Sequence, residues 1–291
     1  MAELRTLALC ALLGALLWAP FPARAGAAPG EAPAASDSGD VVEPGPEEVL
    51  RLALANRYEL DARATVEITI VSRTGGQEQR RAELASKFAK GQIVSYGRFS
   101  YPEDMRGMAV LRLEHADRDD DFFAFLPEFR RVRRLSAAQK SDLFIGTDAA
   151  FEDVERRQLH DYSVAFEPSE EIAGEDAWTV AARPTYDSGY ERVHYSIAKR
   201  DYSILRTRHY KAGADQPFKV IETPRITTEE HGGHTVPMQA TVRNLERGTR
   251  TDVKVLRILV NPELDDRLFT TKSLGQERRL PDYDELETRV E

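Results

Sequence analysis

The densest group of chemically active side chains is a run of arginines followed downstream by three acids. The group consists of Arg130, Arg131, Arg133 and Arg134, and then of Asp148, Glu152 and Asp153. Guanidinium groups form paired hydrogen bonds with phosphates and carboxylates. Three interpretations remain open: exposed side chains on a sheet edge, contact with an anionic partner, or internal ion pairs to the acids. In an extended strand Arg131 and Arg133 point to one side and Arg134 to the other, so the run is not a one-faced patch.

No arrangement of residues in the sequence indicates catalysis or metal binding. The G-x-S-x-G, Walker, H-E-x-x-H and G-x-G-x-x-G motifs are absent. His231 and His234 form the closest histidine pair, but they flank a Gly-Gly turn, where solvent-exposed loop histidines are the favoured interpretation. The aspartates that follow His115 lack the glycine and the distal glutamate of a calcium loop. We therefore predict a protein that is not an enzyme and has no cofactor and no bound metal.

The overall charge of the chain argues against nucleic-acid binding. The 291 residues include 40 basic and 49 acidic side chains, which gives a net charge of −9. An acidic protein is repelled by phosphate backbones, in spite of the local arginine run. The only cysteine, Cys10, lies in the N-terminal apolar run, so disulfides are not expected in the folded part.

The N-terminal segment has the composition of an export signal. Arg5 precedes an apolar run from Leu7 to Trp18, and Ala23-Arg24-Ala25 offers a small-x-small cleavage site. A membrane anchor is the alternative, but the apolar run is shorter than the roughly 20 residues that a helix needs to span a bilayer. Since Leu9 precedes Cys10, the lipidation motif of a lipoprotein is absent. We predict a cleaved signal peptide at residues 1–25 and a disordered, Ala- and Pro-rich leader at residues 26–46.

The rest of the chain, residues 47–291, is predicted to form one mainly β domain with a few short helices. Pro46, followed by two glutamates, indicates a helix start. After it, alternating segments such as residues 65–71 are joined by short turns that carry Gly, Asp or Pro. Hairpin-length connections leave no room for parallel crossovers, so the strands are expected to form a single large, curved antiparallel sheet.

Too few helices are predicted to cover such a sheet. Either a second sheet packs on it, or it curls into an unclosed barrel around a hydrophobic cavity that can hold an apolar ligand. The side chains expected to line this cavity are Val66, Ile68, Ile70, Phe88, Phe99, Phe123, Phe125 and Trp178. The same residues would serve equally as an ordinary core.

Several motifs resemble a known family. Residues 126–136 read LP-x-x-R-x-V-R-R-L-S, residues 144–148 read F-I-G-T-D, and residues 151–153 read F-E-D. Residues 101–107 and 265–269 carry two further motifs, P-x-x-x-R-G and D-x-x-L-F. Together they resemble the outer-membrane lipoprotein-sorting family related to the LolA and LolB carriers. The resemblance implies a periplasmic protein whose unclosed barrel takes acyl chains and carries lipids or lipoproteins between the inner and outer membranes. Some relatives are thought to work beside lipid-exporting membrane pumps.

Two functional hypotheses follow. The first is a periplasmic carrier that binds the acyl chains of lipoproteins or phospholipids and contacts membranes transiently, with an inner-membrane lipid exporter as a further partner. The second is a non-catalytic accessory module that docks to an envelope complex through its sheet edge and arginine strand. The motif residues expected to contact a partner or a lipid headgroup are Arg131, Arg133, Arg134, Asp148, Glu152 and Asp153.

Overall fold

A computed structural model describes residues 43–58, 61–116, 118–135, 142–155, 158–231, 234–276, 280 and 283. The expected signal peptide and residues 26–42 of the expected leader lie outside the described residues, and so do the side chains of His231 and His234. No helix in the described part of the chain is both long enough and apolar enough to span a membrane.

Thirteen of the fifteen strands described form one antiparallel sheet. The strands are β1 (Ala62–Val71), β2 (Gln77–Ala89), β3 (Gln92–Tyr101), β4 (Ala109–Leu113), β5 (Asp121–Leu126), β6 (Arg131–Leu135), β7 (Tyr162–Ile172), β8 (Glu175–Pro184), β9 (Arg192–Ala198), β10 (Ile204–Tyr210), β11 (Lys219–Glu222), β12 (Thr228–His231), β13 (His234–Pro237), β14 (Gln239–Asn244) and β15 (Thr249–Val260). Their order in the sheet is β6-β5-β4-β3-β2-β1-β15-β14-β11-β10-β9-β8-β7, while β12 and β13 pair only with each other. The sheet is not closed into a barrel, and β6 and β7 are its edges. The predicted mainly β, open-sheet fold class is confirmed.

Three α-helices occur in the described residues: α1 (Pro46–Tyr58), α2 (Phe151–Val154) and α3 (Thr271–Leu274). As predicted, α1 begins at Pro46, and Glu47 and Glu48 lie in its first turn, where carboxylates interact favourably with the helix dipole. Val49 and Leu50 on this helix are fully buried, and the helix packs against β7, β8 and β9. One face of α1 therefore covers one half of the sheet.

Strand alternation gives the sheet an inner face, which carries α1 and the largest apolar core. Val66 and Ile68 on β1 project to this face and are fully buried, whereas Thr65 and Glu67 lie on the outer face. A second stretch of chain, residues 142–155, also packs on the inner face. We call these residues the strap. The inner face is thus covered mainly by a helix and an irregular segment, and Val236 of the small β12–β13 pair is buried in the same core.

The C-terminal part of the chain covers the outer face of β2 to β5. Leu268, Phe269 and Leu274 pack there in a separate apolar cluster. Phe123 and Phe125 of β5 contact this outer cluster, whereas Phe122 of the same strand belongs to the inner core. Phe123 and Phe125 therefore do not line the inner face, contrary to the sequence-based expectation, because β5 is apolar on both sides and is covered on both.

Replacing a fully buried inner-face side chain should destabilise the fold. We expect Ile68→Ala to lower the free energy of unfolding by about 2–5 kcal/mol, since it removes a side chain and leaves a cavity. Leu256→Ala, at a position 42% exposed on the neighbouring strand β15, should change it by less than about 0.5 kcal/mol. Urea denaturation followed by circular dichroism measures both. Equal losses in the two variants would contradict the assignment of the inner core.

Candidate functional site

The apolar side chains of the strap attach it to one half of the inner face. Phe144 and Phe151 pack edge to face with ring centroids 4.9 Å apart, and Phe122 of β5 lies 5.3 Å from Phe151 and 6.1 Å from Phe144. Such pairs contribute beyond their buried area because the edge of one ring meets the face of the next. Arg80 of β2 donates to the backbone oxygen of Ile145 at 2.9 Å.

The first acid of the strap, Asp148, is bound by β15 at the centre of the sheet. The hydroxyl groups of Thr249 and Thr251 both donate to its carboxylate, the latter at 2.9 Å. The backbone N–H of Asp148 donates in turn to the Thr251 hydroxyl at 3.0 Å. A buried carboxylate needs such donors, since desolvation without them is costly.

The second acid, Glu152, binds the connection between β8 and β9. The Tyr186 hydroxyl donates to Glu152 Oε1 at 2.6 Å, and the backbone N–H of Gly189 donates to Oε2 at 2.9 Å. The Ser188 hydroxyl makes a third, short contact to Oε1. With three donors and almost no exposure, this carboxylate fixes the strap to the far half of the sheet.

The third acid, Asp153, forms a buried ion pair with Lys219 of β11. The Tyr190 hydroxyl donates to Asp153 Oδ1 at 2.8 Å, and Lys219 Nζ contacts both Asp153 and Tyr190 at short distance. His209 Nδ1 of β10 lies 3.9 Å from the same carboxylate. Burial by itself would raise the pKa of Asp153, but the charges of Lys219 and His209 and the hydrogen bond from Lys219 outweigh it and lower the pKa to about 2.

The strap therefore joins the two halves of the sheet across its inner face. Its phenylalanines pack against β5, while its three acids bind β15, the β8–β9 connection and β11. Apolar and charged contacts are interspersed along the strap, because Phe151 lies between Asp148 and Glu152 in the sequence. A segment held in this way closes off the apolar surface beneath it.

The arginine run and the acids do not pair with each other in the described part of the chain, so that interpretation is wrong. Arg131 and Arg133 are exposed, and the guanidinium of Arg133 lies 5.5 Å from the ring centre of Phe129. Arg134 binds Asp121, whose pKa is held below its usual range by hydrogen bonds from Arg118 first, and then from Arg134 and His115.

Burial also corrects the role expected for the acids. Asp148, Glu152 and Asp153 are 2%, 4% and 9% exposed and are bound by groups of the same chain. They do not contact a partner or a headgroup in this conformation, because their oxygens are already occupied by internal donors. Their role in the structure is to hold the strap on the sheet.

Six of the eight residues expected to line a cavity do lie on the inner face. Val66, Ile68 and Phe99 are buried members of its core, and Ile70, Phe88 and Trp178 are partly buried against it. The Trp178 ring stacks on Tyr202 with centroids 5.5 Å apart. The apolar inner surface predicted from sequence is therefore present, but the strap and α1 cover it.

Among the clefts formed by described residues, two open beside the strap, and both have charged groups in their walls. The smaller, about 30 Å³, lies between Asp153, Tyr190 and His209. The larger, about 220 Å³, is lined mainly by acids, histidines and an arginine, including Glu114, His115 and Arg118. Neither cleft is an apolar chamber for a hydrocarbon chain. Within the described residues, no group of three or more His, Cys, Asp or Glu side chains is arranged to hold a metal ion.

Sequence reasoning missed the residues that receive the strap. Lys219, Tyr190 and Thr251 are distant in sequence from the acids they bind, and none belongs to a recognisable motif. The alternation of buried positions along β11 and β15 is the signal that could have identified them. Lys219 lies two positions before the buried Ile221, and Thr251 lies two before the buried Val253, so each polar side chain faces the core.

Neutralising Asp153 should remove the contribution of its ion pair with Lys219 to the free energy of unfolding. We expect Asp153→Asn to lower the free energy of unfolding by about 3–5 kcal/mol at neutral pH, because Lys219 would lose its buried charged partner. In the wild type the Asp153 contribution is present above the ordinary pKa of 3.8 and is lost as pH falls through about 2.

The difference between wild type and Asp153→Asn should therefore shrink between those two pH values. Urea titrations at a series of pH values measure it. Glu128→Gln, at an exposed acid, is the control and should follow the wild type. A difference that stays constant down to the lowest pH would contradict the ion-pair assignment.

Comparison with known protein families gives one match for this chain. A family model described only as an uncharacterized-protein-like family matches residues 92–276, which is more than half of the chain. No curated protein matches the sequence.

Three solved structures are similar to this chain in fold. A domain from Vibrio parahaemolyticus, described as an outer membrane lipoprotein-sorting protein, is 23% identical, covers 74% of this chain and 92% of its own, and gives a TM-score of 0.69. A DUF1329 family protein from Desulfovibrio piger is 23% identical, with coverages of 78% and 95% and a TM-score of 0.70. A LolA superfamily protein from Nitrosomonas europaea is 17% identical, with coverages of 79% and 100% and a TM-score of 0.62.

The similarity extends over almost the full length of each of these structures, and identities this low establish the fold. The resemblance to lipoprotein-sorting proteins that the sequence motifs indicated is confirmed. The chain belongs to the uncharacterized-protein family whose model it matches, and its open sheet is the LolA-like fold of the lipoprotein-sorting proteins.

Proposed function

We propose that this protein is a periplasmic carrier that binds the acyl chains of lipoproteins or lipids and moves them between the inner and outer membranes. The observation that carries the proposal is the apolar inner face of an open LolA-like sheet, covered by a strap that is not part of the sheet. In this conformation an acyl chain reaches that surface only if the strap or α1 is displaced. Carriage of this kind makes and breaks no covalent bond, so it needs no catalytic group.

Either the strap or an acyl chain can cover the inner face. Exchange between the two requires that they gain similar free energies from burial. An acyl chain of about sixteen carbons gains on the order of 10 kcal/mol at about 0.8 kcal/mol per methylene. The four largest buried apolar side chains of the strap, at about 1.5–3 kcal/mol each, contribute about 6–12 kcal/mol. These side chains are Phe144, Ile145, Phe151 and Val154. An acyl chain can therefore replace the strap on the inner face without a large net cost.

The three acids of the strap support a reversible movement. Asp148, Glu152 and Asp153 are each bound by several donors, so the closed position is well defined. Water can solvate these carboxylates and their donors when the strap leaves the sheet, which offsets most of the lost hydrogen-bond energy. The apolar contacts then decide between the closed state and the loaded state.

Lipid binding is the direct test. We expect protein purified from an envelope fraction to carry acyl lipids in native mass spectrometry, and the emptied protein to take up a fluorescent fatty acid. Ile70→Lys should weaken that uptake by at least about tenfold, because it places a charge on the partly buried inner face.

The matched control is Thr69→Lys, one residue away on the outer face and opposite Asp252 of β15, which should bind fatty acid as the wild type does. Circular dichroism confirms that both variants are folded. Protein that is always empty and takes up no fatty acid would overturn the carrier proposal. Equal losses of fatty acid uptake in the two lysine variants would show that the inner face is not the binding surface.

A second candidate function is a docking module for an envelope membrane complex such as a lipid exporter. The observation that favours it is β6, an edge strand on which Arg131, Val132, Arg133 and Arg134 are all exposed. Exposed arginines on a sheet edge suit an acidic partner surface.

Charge reversal distinguishes this candidate from carriage. If docking is the main function, Arg131→Glu with Arg133→Glu should abolish recovery of a stoichiometric envelope partner in a pull-down and leave fatty acid uptake unchanged. The reversal of charge turns attraction into repulsion at the same surface. Recovery of the same partner at wild-type yield by the double variant would count against docking through β6.

A further inference from the structure

Arg131 and Arg133 share the inner side of the edge strand, next to the apolar surface. In the β5–β6 pairing, Arg131 lies opposite Leu126 and Arg133 lies opposite Ala124, both of which belong to the inner core. Leu135, two residues further along, packs against that core. The two guanidinium groups are therefore at the rim of the inner face, where the apolar surface meets water.

These two arginines differ from the other inner-face arginines in having no acidic partner. Arg112 of β4 is buried and donates to Asp120 at 2.6 Å, and Arg80 of β2 donates to Glu78 at 2.5 Å. In the described part of the chain, neither Arg131 nor Arg133 forms an ion pair, and both side chains are exposed. Their positive charge is available to a ligand.

Their spacing suits a single phosphate group. Residues two apart on a strand are about 6.5–7 Å apart along the chain, and long arginine side chains on the same side can converge on one anion. The chain as a whole has a net charge of −9, so its long-range field does not attract anions. Recognition of an anion at this rim must come from the local pair.

We propose that Arg131 and Arg133 bind the phosphate of an amphiphile whose acyl chain lies on the adjacent inner face. The proposal rests on the acyl-carrier function and narrows its ligand to a phosphate-bearing lipid. The apolar surface alone accepts any acyl chain, whereas a neutral glyceride offers these guanidinium groups no charged partner. The arginine pair thus selects the headgroup, and the inner face binds the tail.

Three probes separate the headgroup from the tail. Lysophosphatidic acid carries both, a monoacylglycerol of equal chain length lacks the phosphate, and glycerol 3-phosphate lacks the tail. We expect the wild type to bind lysophosphatidic acid about tenfold more tightly than the monoacylglycerol in isothermal titration calorimetry, and glycerol 3-phosphate only weakly.

Two double variants of equal charge provide the comparison. Arg131→Gln with Arg133→Gln should lose the preference for lysophosphatidic acid and keep the affinity for the monoacylglycerol. Arg130→Gln with Arg134→Gln removes the same amount of charge from the same tract, but neither residue lies on the inner side of β6. This variant should keep the preference for lysophosphatidic acid. Thermal melts monitored by circular dichroism check that both variants are folded.

The other possible results of these titrations contradict the headgroup site, the amphiphilic ligand or the carrier function. A preference retained by Arg131→Gln with Arg133→Gln, or lost equally in both double variants, would overturn the headgroup site while leaving the acyl carrier intact. Glycerol 3-phosphate that binds as tightly as the lipid would show a free phosphate site and overturn the amphiphile. Failure of the wild type to bind either lipid would overturn the carrier proposal and this inference with it.

Discussion

The buried ion pair between Asp153 and Lys219 is the interaction that fixes where the strap lies on the inner face. Without its partner, either charge would be stranded in a nearly dry environment, at a cost of several kcal/mol. The pair is oriented by Tyr190, which contacts both members. Because Asp153 belongs to the strap and Lys219 to β11, the pair fixes an irregular segment across the sheet. The aromatic contacts of Phe144, near the start of the strap, complete the attachment.

Most of the fold could be predicted from the sequence because its elements are local. Alternating strands, hairpin turns and the start of α1 at Pro46 all follow from short-range patterns. The side of the sheet that a residue faces is not local when a strand is apolar on both sides. In β5, Phe122 and Phe123 look alike in sequence. Only the C-terminal segment, more than a hundred residues away, makes the outer side of Phe123 and Phe125 a second core.

The candidate site was predicted in part. The motif that contains Glu152 and Asp153 is visible in the sequence, but the sequence leaves open whether these acids contact a partner or headgroup or pair with the nearby arginines. Their true donors come from strands that the chain reaches much later, such as Lys219, 66 residues beyond Asp153. Pairing of this kind follows from sheet order, and a single sequence does not contain it. The apolar inner surface, by contrast, was predictable because burial of β1 follows simple alternation.

The arginines of β6 have a consequence for self-association. A sheet with free edges presents unpaired N–H and C=O groups, and two identical edges can zip together into aggregates. If β6 paired with its own copy in an antiparallel register that places Arg131 opposite Arg133, guanidinium groups would oppose guanidinium groups, and like charges in that arrangement are destabilising. The exposed charge on this five-residue strand thus protects the open sheet from polymerising through that edge, a hazard that a closed barrel never meets.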